Sequence, residues 1–506
     1  MVGLIVCVVA CSAPAHPTTS THANLLLVHC GGPTDTIAIG GDEIVAIGDD
    51  AKRFTADRRI DLAGRLVIPG IHDAHVHEPS LFFAYETPGT ENDTAITTLR
   101  DIELATHEVP TGTWIHAPLG TPVLADIASL DRKALDQVAT QHPVWIDNGT
   151  GHVVVLNSVA EYKLALGPLP PGSFHDRDGW YSEYGRYLAM RKRAADSTDS
   201  DVRFAIDAFE HQAVQFGITS VTAFPLDLEA ERLVRVLRAS KRKVRWHVVR
   251  TPIGGVIKPA NDEAQPLDTR VVLEGTKYFI DGMQVEHGAA LELPYEHSVN
   301  GDPLVRGRLD WSSDDIRKML EAARATGDTL HLHAVGDRAL DVVFSAMESL
   351  GGDWSKLVVI EHGYLMTDIP RAKRLGVTFV EEPFHAKMAN ITRERLGDRT
   401  KHWQPMRSML VAGIPMKFGS DGPLNPFRNI QLAEQHPTNP PQAITRGEAL
   451  TAYTDTTLAV GQHADLAAVT GDVDDPATRS VLTIVGGEVV YDALSPASAP
   501  SSARTE

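Results

Sequence analysis

The chain has 506 residues, of which 43% are hydrophobic and 22% are charged, a balance typical of globular proteins. Its formal net charge of −19 argues against a nucleic-acid-binding surface, which requires clustered Lys and Arg side chains. The length allows one large barrel and a smaller domain. All three cysteines, Cys7, Cys11 and Cys30, lie near the N-terminus, so no disulfide framework holds the rest of the chain.

The N-terminal ten residues are apolar and too short to span a membrane as a mature helix, a pattern typical of a signal-peptide core. Residues 8–11 (Val-Val-Ala-Cys) resemble a bacterial lipobox, although no Lys or Arg precedes them. A Ser/Thr/Pro-rich tether follows. We therefore expect residues 1–22 to be a signal and linker, with Cys11 lipidated. The protein would then lie in the cell envelope, lipid-anchored or periplasmic or extracellular; if the N-terminus is not a signal, it would be cytoplasmic.

Residues 23–66 contain short apolar runs, and Gly40-Gly41-Asp42 between two of them is a hairpin signal. Residues 460–493 repeat this pattern, with Gly486-Gly487 as the turn. The two chain ends are therefore predicted to form one small β-sandwich domain. Residues 494–506, rich in Ser, Ala and Pro, are predicted to be a disordered tail.

Strand and helix signals alternate over residues 67–459, which predicts βα units around a parallel sheet. The predicted strands number eight, as in an α/β protein with a TIM (β/α)8 barrel. They are residues 67–77, 219–224, 244–250, 276–281, 329–334, 357–361, 377–381 and 415–420. Residues 78–211 are far longer than an ordinary βα connection and are predicted to be an insertion over the barrel mouth. An N-cap signal at Ser312 predicts a helix between the fourth and fifth strands.

The first predicted barrel strand ends in His75-Val76-His77. Alternate side chains of a strand point the same way, so these two imidazoles share a face and, about 7 Å apart, can bind one metal ion. Two surface histidines at a strand end are the alternative. Gly70 indicates a bend or a close backbone approach near the start of this strand.

Active-site residues of a TIM barrel lie at the C-terminal ends of its strands. In strand order, the candidates there are His75 and His77, Lys277, His333, His362 and Asp421. Each alone is more often a structural histidine, a paired lysine or a turn aspartate. Their joint occurrence at the ends of five strands favours a common site.

These motifs resemble the amidohydrolase superfamily, metal-dependent hydrolases on a TIM barrel, whose binuclear members have the ligand order His-x-His, Lys, His, His, Asp. Several local strings resemble its YtcJ-like branch (amidohydrolase family 3). They are residues 277–282 (Lys-Tyr-Phe-Ile-Asp-Gly), 332–339 (Leu-His-Ala-Val-Gly-Asp-Arg-Ala), 360–363 (Ile-Glu-His-Gly), 418–423 (Phe-Gly-Ser-Asp-Gly-Pro), and Gly151-His152 with Asn157-Ser158. The resemblance extends from about residue 24 to residue 492.

Two strings depart from the branch, residues 283–287 (Met-Gln-Val-Glu-His) and 381–385 (Glu-Glu-Pro-Phe-His). Both lie near the predicted barrel mouth, so they affect the choice of substrate. His152, His287 and His385 are candidates for contact with the substrate, and exposed loop histidines are the alternative.

Neutral imidazoles and carboxylates suit Zn²⁺, whereas a cationic lysine cannot ligate as it stands. The resemblance implies that Lys277 is carboxylated by CO₂ and bridges two divalent metal ions. His75, His77 and Asp421 would hold one ion, and His333 and His362 the other.

The implied activity is hydrolysis of a C–N bond in a small molecule, such as an amide, formamide or cyclic amide, by a metal-activated water. Asp421 would be the catalytic proton shuttle. A mononuclear deaminase or an ester/lactone hydrolase on the same barrel is an alternative, against which Lys277 argues. A non-catalytic lipid-anchored binding protein is another, against which the complete ligand set argues. Nothing in the sequence indicates an oligomeric state.

Overall fold

The computed structural model describes residues 21–77, 85–88, 94–119, 130–147, 150–174, 178–257, 270–297 and 302–495. The predicted lipidation site Cys11 and most of the predicted tail lie outside the described residues. Among the helices that are described, none combines the length and the hydrophobicity needed to cross a bilayer.

The described strands and helices alternate along most of the chain. The strands are β1 (His22–Val28), β2 (Thr36–Gly40), β3 (Glu43–Ile47), β4 (Thr55–Asp61), β5 (Leu66–Pro69), β6 (Ile71–Val76), β7 (Tyr85–Glu86), β8 (Ile115–Pro118), β9 (Val144–Asp147), β10 (Val153–Leu156), β11 (Ser173–Phe174), β12 (Trp180–Glu183), β13 (Ile218–Ala223), β14 (Arg245–Arg250), β15 (Val271–Phe279), β16 (Leu330–Ala334), β17 (Val358–His362), β18 (Thr378–Glu381), β19 (Met416–Phe418), β20 (Leu466–Val469), β21 (Ser480–Val485) and β22 (Glu488–Asp492). The α-helices are α1 (Gly48–Ala51), α2 (Ala95–Glu108), α3 (Arg132–Val138), α4 (Ser158–Leu164), α5 (Tyr184–Ala194), α6 (Asp199–Gln215), α7 (Ala230–Arg238), α8 (Ser313–Thr326), α9 (Asp337–Leu350), α10 (Ile369–Leu375), α11 (Ala389–Leu396), α12 (Met406–Ala412), α13 (Pro426–Gln435) and α14 (Arg446–Ala452). Short 3₁₀ helices cover Pro383–Met388, Gly397–His402 and Pro440–Gln442.

Both chain ends contribute to a small domain of two four-stranded sheets, with the orders β3-β2-β1-β4 and β22-β21-β20-β5. Buried aliphatic side chains from both sheets form one core, including Leu25, Ile37, Leu466 and Ile484. The glycine-containing turns after β2 and β21 join antiparallel neighbours, as the hairpin signals predict.

The largest sheet is a parallel barrel with the strand order β6-β13-β14-β15-β16-β17-β18-β19. The Asp421 amide donates a hydrogen bond to the His75 carbonyl at 2.9 Å, which joins the last strand to the first. A Cβ at Gly419 would lie 2.3 Å from the His75 Cβ, so only glycine permits this closure. The predicted TIM barrel is confirmed, and the N-cap signal at Ser312 begins α8 as expected.

The prediction of residues 67–77 as one barrel strand is wrong. The stretch forms two strands in two sheets: β5 pairs with β20 in the small domain, and β6 pairs with β13 in the barrel. Gly70 separates them, and a Cβ there would lie 2.3 Å from the Thr219 Oγ1, so the backbones approach closely at this point. The boundary between the small domain and the barrel therefore falls at Gly70 rather than after residue 66.

The insertion contains a sheet of its own, with the order β11-β12-β10-β9-β8-β7. It ends before α6 rather than at residue 211, because buried residues of α6 such as Val202 and Ile206 pack in one cluster with Ile218 and Val221 of the barrel. The strands of this sheet have two to four residues each, too short to produce a clear period in the sequence.

Candidate active site

The strand ends bring the predicted ligands around one cavity of about 760 Å³. They come from β6, β15, β16, β17 and the loop after β19, as expected for side chains at the C-terminal ends of barrel strands. The predicted residues that line the cavity are His75, His77, His152, Lys277, His333, His362 and Asp421.

One set of possible ligand atoms is formed by His75, His77 and Asp421. The His77 Nε2 lies 3.2 Å from the Asp421 Oδ1, and the His75 Nε2 lies 3.8 Å from the same oxygen. All three ligand atoms lie within 4.8 Å of one another. That spacing allows a single cation to contact all three.

A second set shares Asp421 through its other oxygen. The Nε2 atoms of His362 and His385 lie 4.0 Å and 3.9 Å from the Asp421 Oδ2. The His333 ring lies beside this set, with its centroid 4.3 Å from that of His362.

His333 provides the test of whether these residues fit a metal. Its side chain is buried, yet neither ring nitrogen has a hydrogen-bond partner among the residues that the structure describes. Leaving buried polar atoms unpaired is costly, and a metal ion would satisfy one of them. The donor set of imidazoles and a carboxylate also fits a divalent metal.

Lys277 is fully buried and lines the cavity. Its Nζ lies 2.9 Å from the His75 Nε2 and 4.0 Å from the centre of the Phe224 ring. No carboxylate lies within ion-pair distance of Lys277 in the described part of the chain, and burial lowers the pKa of the amine.

Buried groups behind the histidines orient their rings. The Glu361 carboxylate accepts a hydrogen bond from the His75 Nδ1 at 2.6 Å, and the Glu382 carboxylate one from the His362 Nδ1 at 2.7 Å. Partners on Nδ1 leave each Nε2 facing the cavity, an arrangement common at metal sites. The sequence analysis did not assign these two acids. Glu361 directly precedes His362, and Glu382 lies in one of the two departing strings.

Electrostatics favour the metal-binding forms of these side chains. Burial, with the nearby Lys277, lowers the pKa of His75 to about 4, and burial lowers the pKa of His333 and His362 well below its usual range. Burial alone would raise the pKa of Asp421, but the surrounding histidines hold it well below its usual value. Neutral imidazoles and an ionised carboxylate are the ligating forms.

The backbone is strained at two of these residues. His362 has a φ of 71° and Asp421 a φ of 36°, backbone angles that residues other than glycine rarely adopt. The buried Asp73 carboxylate accepts a hydrogen bond from the Ser420 amide at 2.8 Å, which holds the chain next to Asp421 in place.

The three predicted substrate contacts have different positions. The His152 Nδ1 lies 2.9 Å from the Glu183 carboxylate, and its ring lines the cavity 5.0 Å from that of His333. The His385 side chain adjoins Asp421, as described above. His287, by contrast, is not among the residues that line the cavity; its ring packs against Tyr295 at 4.8 Å.

The sequence profile of the amidohydrolase family (Amidohydro_3) matches residues 58–491, most of the chain. The protein is a member of the amidohydrolase family. It is a metal-dependent hydrolase that acts on carbon–nitrogen bonds other than peptide bonds, and the resemblance to the YtcJ-like branch is confirmed.

Individual relatives of this amidohydrolase are distant. The N-substituted formamide deformylase of Arthrobacter pascens is 23% identical over 460 residues, covering 83% of this chain and 84% of the relative. The putative amidohydrolase YtcJ of Bacillus subtilis (strain 168) is 27% identical over 253 residues, or 43% and 46% of the two chains. An uncharacterized metal-dependent hydrolase from Pyrococcus horikoshii OT3 shares the fold with a TM-score of 0.68 at 21% identity, covering 89% and 98% of the two chains.

Proposed function

We propose that this amidohydrolase hydrolyses an amide, formamide or cyclic amide of a small molecule with the help of two divalent metal ions, Zn²⁺ being the ion that best suits the ligands. The observation that carries the proposal is that Asp421 belongs to two groups of closely spaced ligand atoms, one with His75 and His77 and one with His362 and His385. The unpaired ring nitrogens of His333, beside His362, offer a further ligand to the second group. The formamide deformylase activity named for the Arthrobacter pascens relative supports the choice of bond.

In this proposal His75, His77 and Asp421 hold one ion, and His333 and His362 hold the other. When bound, the metal ions lower the pKa of a water molecule and polarise the scissile carbonyl group. The ionised Asp421 carboxylate accepts the proton of the attacking water and passes it to the leaving amine.

Lys277 is proposed to be carboxylated on its Nζ. Its amine is buried next to His75 and makes no ion pair in the described residues. Burial favours the neutral amine and outweighs the attraction of the Glu361, Asp421 and Glu382 carboxylates, so the pKa of Lys277 lies below its usual value. Reaction of the neutral amine with CO₂ forms an N–C bond and releases a proton. The resulting carbamate is an anion that can contact both metal ions as a carboxylate would.

His152 and His385 are proposed to contact the substrate. His152 belongs to the insertion and faces His333 across the cavity, while His385 lies next to Asp421. The two histidines therefore approach the proposed reaction centre from different parts of the chain.

The test is metal content and turnover measured on the same preparation. Protein purified without chelators should contain about two divalent metals per chain by elemental analysis. It should release amine from a panel of N-formyl and N-acyl amines, or open lactams to the amino acids. Release of ammonia only, turnover of esters or lactones only, or protein without metal would each contradict the proposal.

We also propose that Cys11 is lipidated and that the enzyme functions in the cell envelope, on the support of the lipobox-like residues 8–11 and the tether behind them. Intact-mass analysis of native protein should show a lipid-bearing N-terminus at Cys11. An unmodified protein that still begins at Met1 would contradict this.

A further inference from the structure

The insertion forms one wall of the cavity, and the first turn of α5 places two adjacent polar residues in that wall, Arg186 and Tyr187. The Tyr187 ring lies 4.6 Å from the Phe279 ring, which lies 5.3 Å from the ring of His333. Two ring contacts therefore separate Tyr187 from a proposed metal ligand. A molecule with its scissile bond at the metal ligands can extend to this wall.

Tyr187 carries an unsatisfied hydroxyl. The side chain is 1% exposed, and the hydroxyl has no hydrogen-bond partner among the described residues. A buried tyrosine hydroxyl normally has one. No described residue supplies one, so we consider a ligand in the cavity as its partner.

Within the described part of the chain, Asp147 holds the Arg186 guanidinium along one edge. Its Nε and NH2 donate to the Asp147 Oδ1 at 3.2 Å and 2.9 Å. Among the described residues, its NH1 has one hydrogen-bond acceptor, the thioether of Met190 at 2.9 Å, and a thioether is a weak acceptor. Asp147 also accepts a hydrogen bond from the Trp145 indole at 2.8 Å, so its carboxylate is shared between Arg186 and Trp145.

We propose that Arg186 and Tyr187 bind a carboxylate on the substrate, so that the substrate is an amide carrying a carboxylate at the end of a short spacer. This rests on the proposed amide hydrolysis. A carboxylate can accept from an arginine and from a hydroxyl at once, so one ligand group can use both donors. Met190, Leu226 and Phe279 also line the cavity and offer an apolar surface to the spacer.

The probes are two formamides of the same length, 4-formamidobutanoate and the uncharged 4-formamidobutanamide. The full-length holoenzyme should prefer the acid by at least about tenfold in kcat/KM, the size expected for hydrogen bonds to a charged group. Calorimetric titration should show the same preference in Kd. Selective binding of the acid without hydrolysis would refute the proposed function and support the carboxylate subsite. Hydrolysis of both probes without preference would support the proposed function and refute the subsite.

The decisive variant is Tyr187→Phe, which removes only the hydroxyl oxygen. It should lower kcat/KM for the acid about tenfold and leave that for the amide within about twofold. It should not lower the melting temperature, because the hydroxyl has no partner to lose in the described part of the chain. Tyr181→Phe is the matched control: this hydroxyl donates to Glu161 at 2.9 Å, and Tyr181 does not line the cavity. The control should lose stability and keep the acid-to-amide ratio.

Arg186→Met should abolish the preference for the acid, provided that circular dichroism shows the fold retained. Tyr187→Phe decides the question if Arg186→Met does not fold. Equal binding of both probes by the parent enzyme, or equal losses for both probes in Tyr187→Phe, would overturn the proposal.

Discussion

The two ends of the barrel carry the same residue types in different states of pairing. At the amino ends of the strands, the His72 Nδ1 bonds to Asp455 and its Nε2 lies 2.9 Å from the Thr222 hydroxyl. Asp455 also accepts from the Lys417 Nζ at 2.8 Å. At the carboxyl ends, His333 has no hydrogen-bond partner in the described chain and Lys277 has no acidic one.

Pairing, rather than residue type, therefore distinguishes the catalytic end from the structural end. Histidine, lysine and aspartate at the amino end satisfy one another and stabilise the barrel. At the carboxyl end the same groups are buried with atoms left for a ligand, and two of their backbones, at His362 and Asp421, have positive φ. Substitutions at the two ends should have correspondingly different consequences.

The largest expected effect is that of His75→Ala. Removing a ligand of the proposed first ion should eliminate bound metal and lower turnover by more than ~10³, because the activated water is lost. The matched control is His72→Ala on the same strand at the other end of the barrel. It should keep metal content and keep turnover within a few-fold; loss of metal from His72→Ala would break the comparison. Elemental analysis and steady-state kinetics measure both.

Lys277→Ala should come next, with loss of metal and at least ~10² of turnover, because the proposed bridging anion is missing. Adding a short carboxylic acid such as propionate should restore part of both. The matched control is the Lys417→Ala variant at the amino end. Propionate should change neither its metal content nor its turnover. Full metal and full activity in Lys277→Ala would remove this residue from the site.

Asp421→Asn should separate metal binding from the hydrolytic step. Asparagine keeps the size and one oxygen ligand but cannot accept the proton, so a substantial part of the metal should remain while turnover falls by at least ~10². Kinetics on metal-quantified protein provide the measurement. Turnover within a few-fold of the parent would assign the base to another residue, and His385 would be the first to examine.

Glu361→Gln tests the group behind the histidine rather than the ligand itself. The amide cannot reproduce the charged hydrogen bond to the His75 Nδ1, so metal affinity should fall by ~10–100-fold. Competition with a chromogenic chelator measures the affinity. An unchanged affinity would mean that packing alone orients His75.

The smallest effect is expected for Asp455→Asn, as a pH-dependent loss of stability without loss of turnover. Burial would raise the pKa of Asp455, but the hydrogen bond from His72 and the nearby Lys417 outweigh it and hold the pKa below its usual value of 3.8. A carboxyl whose pKa is lower in the folded protein adds stability above its unfolded pKa and loses it as the pH falls further. The difference in melting temperature between parent and variant should therefore be largest near pH 7 and shrink below about pH 4. A difference that stayed constant across this range would exclude the ion pair as its source.

The sequence by itself determined the order of the barrel strands and which residues stand at their ends. Seven predicted strands overlap the observed ones, with the largest displacement at β15, which begins at Val271 rather than at residue 276. These features are encoded locally, in apolar periods and in residues such as the His75-x-His77 pair. Residues 67–77 are the exception, because one continuous apolar run forms strands in two different sheets. The hydrophobic period of the run does not indicate which strand each half will pair with.

Only the tertiary structure decided which groups support the candidate site and which stay outside it. Glu361 orients His75 across a separation of 286 residues, Tyr187 meets the cavity from the insertion, and His287 packs against Tyr295 away from it. These outcomes depend on how loops and an inserted sheet approach the barrel mouth, and no local propensity specifies that approach. The pairing of a polar atom, which separates the two ends of this barrel, is likewise a property of neighbours distant in the chain.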